Sequence, residues 1–276
     1  MMNEYKLITC DLDETLLNTE KKVPQANADA IADARNQGIK FVCATGRGYP
    51  SIQGTLKEIG AFDLPEEYTI SFNGGVITEN RNNRILHMEP MDSDLAELIF
   101  QRGLPYDVCA HVYTPDTVWI WHINPQEKAF LDGRMDYREF EDTNLNFLKG
   151  QTIIKVLFEN TDYEYLKSLE AQFDDIREQV DISYSSNRYL EFNKRGVNKG
   201  AALLRLADLL NIPREGTMAI GDNFNDLSMI QAAGLGLGVA NTHPDMKDLC
   251  DVILTRTNDE GAVAEAISRF CLNPQF

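Results

Sequence analysis

Short apolar runs and helical stretches alternate at both ends of this chain, a pattern that fits a parallel sheet buried on both faces and joined by crossover helices. Residues 5–10 (YKLITC) form an apolar run that stops at acidic residues, as a central strand does where its carboxyl end reaches solvent. Residues 25–37 are Ala-rich with apolar positions at helical spacing. Pro24 precedes them and Gly38 closes them, the residue types favoured at a helix start and just past its end. Strand 40–44, helix 51–59, strand 68–72 and the turn Asn73-Gly74-Gly75 continue the series. It resumes with helix 199–210, strand 217–220, helix 226–233, strand 236–239, helix 243–249, strand 252–254 and a last helix from Gly261. The two ends read as one doubly wound α/β unit.

The middle has a different texture. Strands are expected at 85–88, 108–113, 118–123, 152–158 and 189–192, with helices only at 92–102 and 163–179, and Thr114-Pro115-Asp116-Thr117 signals a hairpin between two alternating strands. This is α+β text inside an α/β chain. The boundaries expected from it are a core of residues 1–83 and 191–276 and an insert of 84–190, an organisation that 276 residues accommodate. Trp119 and Trp121 share one face of an expected strand, where sheet-to-helix packing is the commoner use of such a pair and stacking on a ligand the alternative.

Forty-three acidic residues against twenty-six basic ones give a formal charge of −17, a field that repels polyanions and anionic membrane surfaces. Neither nucleic acid nor a membrane is expected as a partner. A small anionic substrate would need local cations, from Lys/Arg or a bound divalent metal, to overturn that field. The five cysteines include no CxxC pair and read as reduced thiols. Glu4, Lys6 and Asp11 stand where a leader peptide needs an apolar stretch, so the expected location is cytoplasmic.

Asp11-Leu12-Asp13 follows the first strand directly, which puts two carboxylates at the carboxyl edge of the sheet, where open α/β folds hold their ligands. Two acids so close repel, and Mg²⁺ is the hard, oxygen-seeking ion that would hold them together beside a phosphate. Thr45-Gly46-Arg47 ends the second strand, Lys199 opens a helix within GVNKG, and Gly221-Asp222-Asn223-Phe224-Asn225-Asp226 ends a later strand. Each has an ordinary reading as a capped turn or a solvated lysine. Their arrival at one sheet edge is what points to a site. No GxxxxGK[ST] loop is present, the glycines at 234, 236 and 238 lack GxGxxG spacing, and Cys109-x-His111 has no second pair at zinc spacing.

DLDETLL, ATGR, the GVNKG lysine and GDNFND, in that order, resemble the four motifs of the haloacid dehalogenase-like hydrolases, and in particular the Cof-type phosphatases, whose large cap falls between the second and third motifs. The resemblance spans the chain. It implies that Asp11 is the nucleophile taking the phosphoryl group and Asp13 the general acid and base. It places Thr45, Gly46, Arg47, Lys199 and Asn225 around the phosphate, with Mg²⁺ on Asp11, Asp13 (through its carbonyl) and Asp222, and Asp226 behind them. A Mg²⁺-dependent phosphatase for small phosphorylated metabolites follows, sugar phosphates first and then pyridoxal phosphate or flavin mononucleotide, acting as a monomer or homodimer. A phosphomutase or a non-catalytic phosphometabolite sensor on the same scaffold are the alternatives. Glu14 stands where the family most often has Gly, from which the turn is expected not to need a positive φ.

Overall fold

The first strand, β1 (Leu7–Cys10), lies inside an eight-stranded sheet in the computed structural model, which describes residues 5–272. Glu4, used above to weigh against a leader, falls outside those residues. After β1 come α1 (Gln25–Asn36), β2 (Lys40–Ala44), a 3-10 turn running into α2 (Gln53–Glu58), β3 (Tyr68–Ser71), β4 (Val76–Glu79) and β5 (Arg84–Met88). The inserted stretch holds α3 (Ser93–Gly103), β6 (Cys109–Tyr113), β7 (Val118–Trp121), α4 (Pro125–Leu131), β8 (Arg138–Phe140), β9 (Lys155–Glu159), α5 (Tyr163–Glu170), β10 (Val180–Ser185) and β11 (Tyr189–Lys194). The chain then adds α6 (Lys199–Leu209), β12 (Thr217–Gly221), α7 (Leu227–Ala232), β13 (Leu235–Gly238), β14 (Val252–Ile253) and α8 (Ala262–Ile267).

The core sheet runs β14-β13-β12-β1-β2-β3-β4-β5, parallel from β14 to β3 and antiparallel at β4 and β5. Alternate residues of β1 face opposite layers. Ile8 and Cys10 join Ile31 and Ala34 of α1 and Val263 and Ile267 of α8, while Leu7 joins Leu203 and Leu206 of α6 and Met229 of α7. Burial on both faces is why these strands are short and apolar throughout. Cys10 is level with Cys43 and with Ile220 in the ladders, so Asp11, Thr45 and Asp222 leave neighbouring strands at one edge.

The chain divides after Met88 and after Val197, not at 84 and 190. Strand 84–88, expected in the insert, instead pairs with β4 as the last strand of the core sheet. The turn Asn73-Gly74-Gly75 makes this possible: Phe72, Asn73 and Gly74 take φ of 53°, 54° and 100°, which reverses the chain into the unforeseen strand β4. At the far boundary β11 sits between β10 and β9, so residues through 197 belong to the insert. These corrections share one cause: a strand declares its type locally but not its partner.

The insert forms its own sheet, β10-β11-β9-β6-β7-β8, antiparallel except for β7 with β8. Leu95, Ile99 and Phe100 of α3 and Leu166 and Leu169 of α5 pack with Val112, Val156, Phe158, Leu190 and Phe192. Trp119 and Trp121 belong to this layer, edge-on to Phe147 at 5.1 Å and Phe100 at 6.0 Å, so packing accounts for them. The helix expected over 163–179 ends at Glu170 and tightens into a 3-10 turn (Ala171–Ile176) before β10. No helix among the described residues is long and apolar enough to cross a membrane.

Gly200 lies where α6 meets α7, and a Cβ added there would sit 2.2 Å from the backbone oxygen of Ser228. Gly200→Ala should cost about 2 kcal/mol through overpacking, and a melting curve should fall by about 4–8 °C. An unchanged melting temperature would show that α6 and α7 can separate without loss.

Candidate active site

Lys199 is the first residue of α6, whose cap is Asn198, with its side-chain oxygen accepting from the Ala201 amide at 2.9 Å. The ammonium is wholly buried, 2.5 Å from Asp11 Oδ1 and 2.6 Å from Asp226 Oδ1. Asp226 is fixed in turn, because its Oδ2 accepts from the amides of Asp222 at 3.0 Å and Asn223 at 3.2 Å. That close approach needs the missing side chain of Gly221, where a Cβ would lie 2.5 Å from Asp226 Cβ. Asp222 Oδ1 accepts from Thr15 Oγ1 at 2.7 Å. Carboxylate oxygens of Asp11, Asp222 and Asp226 all fall within 4.8 Å of one another.

Burial is the largest influence on these groups. It pushes the Asp11 carboxyl up to about 7, with repulsion from Asp226 adding to it and Lys199 pulling the other way. Asp222 is pushed well above the usual carboxylate range by burial and then by Asp226 and Asp11. For Lys199, burial alone would lower the ammonium, but Asp11 and Asp226 overcome it and hold the group above its ordinary value. The charge on Lys199 is therefore permanent across the working pH range.

The remaining residues singled out from the sequence lie on the same edge. Thr45 is buried; its amide belongs to the sheet through Ile70 at 2.9 Å and its hydroxyl oxygen accepts from the Arg47 amide at 3.1 Å. Gly46 lies between them. The Arg47 side chain grips Asp13 with two bonds, Nε to Oδ2 at 2.9 Å and Nη2 to Oδ1 at 2.5 Å. Asp13 is thus drawn toward Arg47, and the trio of clustered carboxylates comprises Asp11, Asp222 and Asp226. Asn225 is half-buried in the turn before α7 and makes no side-chain hydrogen bond among the described residues.

Two participants carried no assignment from sequence. Thr15 sits inside DLDETLL but gains its role only from the fold, which brings it to Asp222. Lys21, 3.6 Å from Asp13 Oδ1, lies in a stretch with no motif. Cys109 and His111 are both buried, and His111 faces Glu127 at 3.4 Å, with no cysteine–histidine metal grouping among the described residues.

A family model for haloacid dehalogenase-like hydrolases matches residues 8–267. The chain belongs to that family. Phosphatase YwpJ of Bacillus subtilis is 30% identical over 94% of this chain and 97% of its own length. A second relative from the same organism, 5-amino-6-(5-phospho-D-ribitylamino)uracil phosphatase YcsE, is 29% identical over 98% of this chain and 97% of its own. The crystal structure of a haloacid dehalogenase-like hydrolase from Bacteroides thetaiotaomicron superposes with a TM-score of 0.82 at 30% identity, over 96% of this chain and 99% of that one. This chain is a phosphoric monoester hydrolase of the Cof-type group.

One sequence expectation about this phosphatase fails. Glu14 does adopt a positive φ, 62°, and its carbonyl accepts from Asn241 Nδ2 at 2.8 Å. The turn after Asp13 must swing left-handed to send Thr15 toward Asp222, and the Cβ of Glu14 is accommodated at a cost of about 1–2 kcal/mol. Glu14→Gly should relieve that strain, less the entropy a glycine adds to the unfolded chain, for a net gain of about 0.5–1 kcal/mol. A lower melting temperature in this variant would mean that the Glu14 side chain stabilises the loop.

Proposed function

We propose that the chain is a cytoplasmic, Mg²⁺-dependent phosphatase of small phosphorylated metabolites, sugar phosphates foremost, working through an aspartyl phosphate on Asp11. The observation that carries the proposal is the buried Lys199 held between Asp11 and Asp226. It fixes one oxygen of Asp11 and leaves the other, Oδ2, without a hydrogen bond among the described residues, the disposition a nucleophile needs. The name of the YcsE relative, a phosphatase of a phosphorylated ribityl compound, favours a phosphorylated sugar or sugar alcohol here as well. We assign discrimination among metabolites to the inserted unit, which builds a sheet and an apolar layer of its own.

Asp11 Oδ2 attacks phosphorus, the ester P–O bond breaks, and the departing oxygen takes the proton that Asp13 has picked up from solvent on parting from Arg47. Water then attacks the acyl phosphate, Asp13 receives its proton, and phosphate leaves with Asp11 regenerated. Lys199 sits at one oxygen of the nucleophile throughout, so its charge opposes the negative charge that builds at the transferring group. For Asp13 to reach the leaving oxygen it must part from Arg47, and the phosphate of the substrate is the natural competitor for that guanidinium.

The donor set fits Mg²⁺. Lys199, Thr15 and two amides take one oxygen of Asp11, one of Asp222 and both of Asp226. The other oxygen of Asp11 and that of Asp222 carry no hydrogen bond among the described residues. With the carbonyl of Asp13, the further ligand that the family resemblance implies, they would make a hard oxygen set of the kind this ion selects. When bound, the ion neutralises charge on the transferring phosphoryl group.

Asp11→Asn should abolish phosphate release while leaving the melting transition cooperative, since an amide forms no acyl phosphate. Asp13→Asn should slow alkyl phosphates far more than an activated aryl phosphate, whose leaving group needs no proton. Equal losses on both substrates would remove Asp13 from that role. Asp11 and Asp222 have folded-state values raised above those of the unfolded chain, so the protons they keep stabilise the metal-free core below about pH 4, and that contribution is lost as pH rises toward about 7. Mg²⁺ replaces those protons. The rise in melting temperature on adding Mg²⁺ should therefore be small near about pH 5 and several degrees near about pH 8, and a shift independent of pH would count against these carboxylates as its ligands.

A further inference from the structure

The turn between Asn18 and Lys22 is built with more care than a surface connection requires. The amide of Asn18 donates to the Lys22 carbonyl, the Lys21 amide to the Asn18 carbonyl, and the Lys22 amide to Asn18 Oδ1, each at 2.9 Å. Two other parts of the core, the end of α2 and the turn at 258–259, hold the loop from outside. Asp259 accepts from the Thr19 amide at 2.7 Å, Glu58 from the Val23 amide at 2.7 Å, and the side chain of Asn258 donates to the Leu17 carbonyl at 2.9 Å. Within this frame Lys21 takes a φ of 60°, a conformation cheaper for Gly or Asn. The neighbours Lys21 and Lys22 then diverge: Lys22 reaches outward to Glu58, whereas Lys21 turns to Asp13.

The charges at this edge make the direction matter. Against Asp11, Asp13, Glu14, Asp222 and Asp226 stand the cations Lys199, Arg47 and Lys21. A phosphorylated substrate adds further negative charge. Lys199 is completely buried and held by two carboxylates, so it cannot reach out to meet an arriving anion. Arg47 and Lys21 can, with side chains 16% and 34% exposed, and both rest on the same carboxylate, Asp13.

We infer that Lys21 is a second substrate-binding cation, paired with Arg47, and that Asp13 is the anion on which both rest until a phosphate displaces it. The inference rests on the phosphatase reading above and adds a residue to it. A phosphate monoester offers three anionic oxygens against one carboxylate, so the exchange gains charge pairing for both cations and frees Asp13 in the same event.

Lys21→Met tests this, because Met keeps most of the length of the side chain and the same backbone demand at positive φ while removing the charge. The expected result is a weakening of inorganic phosphate binding, measured by calorimetry on the Mg²⁺-loaded protein, by about three- to fivefold, the scale of one partly exposed ion pair. The KM for a phosphorylated sugar should rise by a similar factor, and by more than kcat falls. Lys21→Arg should restore most of both, the difference between the wild-type protein and the Lys21→Met variant should shrink in high salt, and Lys22→Met should leave both values as they were. Unchanged phosphate affinity and KM in Lys21→Met would overturn the inference. So would a loss confined to kcat, which would place Lys21 behind Asp13 and out of contact with substrate. If the wild-type protein released no phosphate from any ester, the phosphatase reading would fall, while the phosphate affinities of the variants would still decide the role of Lys21.

Discussion

A lysine ammonium with no access to water, held between two carboxylates, is the interaction on which the rest of this active site depends. Removing the lysine from such a group leaves two buried carboxylates facing each other without a cation, which costs about 3–5 kcal/mol, so Asp11 and Asp226 depend on Lys199. The surrounding architecture serves that triad. Gly221 lets Asp226 fold back beneath its own loop, two amides complete the second oxygen of Asp226, and Gly200 lets α6 lie close enough to α7 to carry the lysine in. A buried ion pair adds little net stability compared with an apolar core. Its value here is that it fixes the orientation of Asp11 and keeps a positive charge beside it at all relevant pH.

The sheet explains how groups far apart in sequence reach that triad. Parallel strands all end at the same edge, and β1, β2 and β12 are adjacent and level, so Asp11, Thr45 and Asp222 emerge side by side. Helix α6 then delivers its first residue to the same edge. The antiparallel strands β4 and β5 extend the sheet without contributing to the site, and the inserted unit builds a separate apolar layer of its own around α3 and α5. In the core the clustered groups Asp11, Lys199, Asp222 and Asp226 are buried and fixed. Arg47 and Lys21, whose side chains are only partly buried, share Asp13 as their partner.

Much of this was legible in the amino-acid sequence, and for a local reason. Hydrophobic period, Pro24 and Gly38 around α1, and the acidic turns after β1 and β12 are properties of contiguous residues, so the α/β class, the interrupting α+β insert and the four motif segments could be read without a structure. The tertiary structure alone decided whatever depends on partners distant in the chain. Strand 84–88 read correctly as a strand, but only its pairing with β4 assigned it to the core, and only the place of β11 between β10 and β9 assigned residues 191–197 to the insert. Thr15 and Asp222 are 207 positions apart, and Lys199 and Asp11 are 188 apart, so no local pattern could pair them. The conformation at Glu14 belongs to the same class: a glutamate by itself disfavours positive φ, and the demand that Thr15 reach Asp222 overrides that preference.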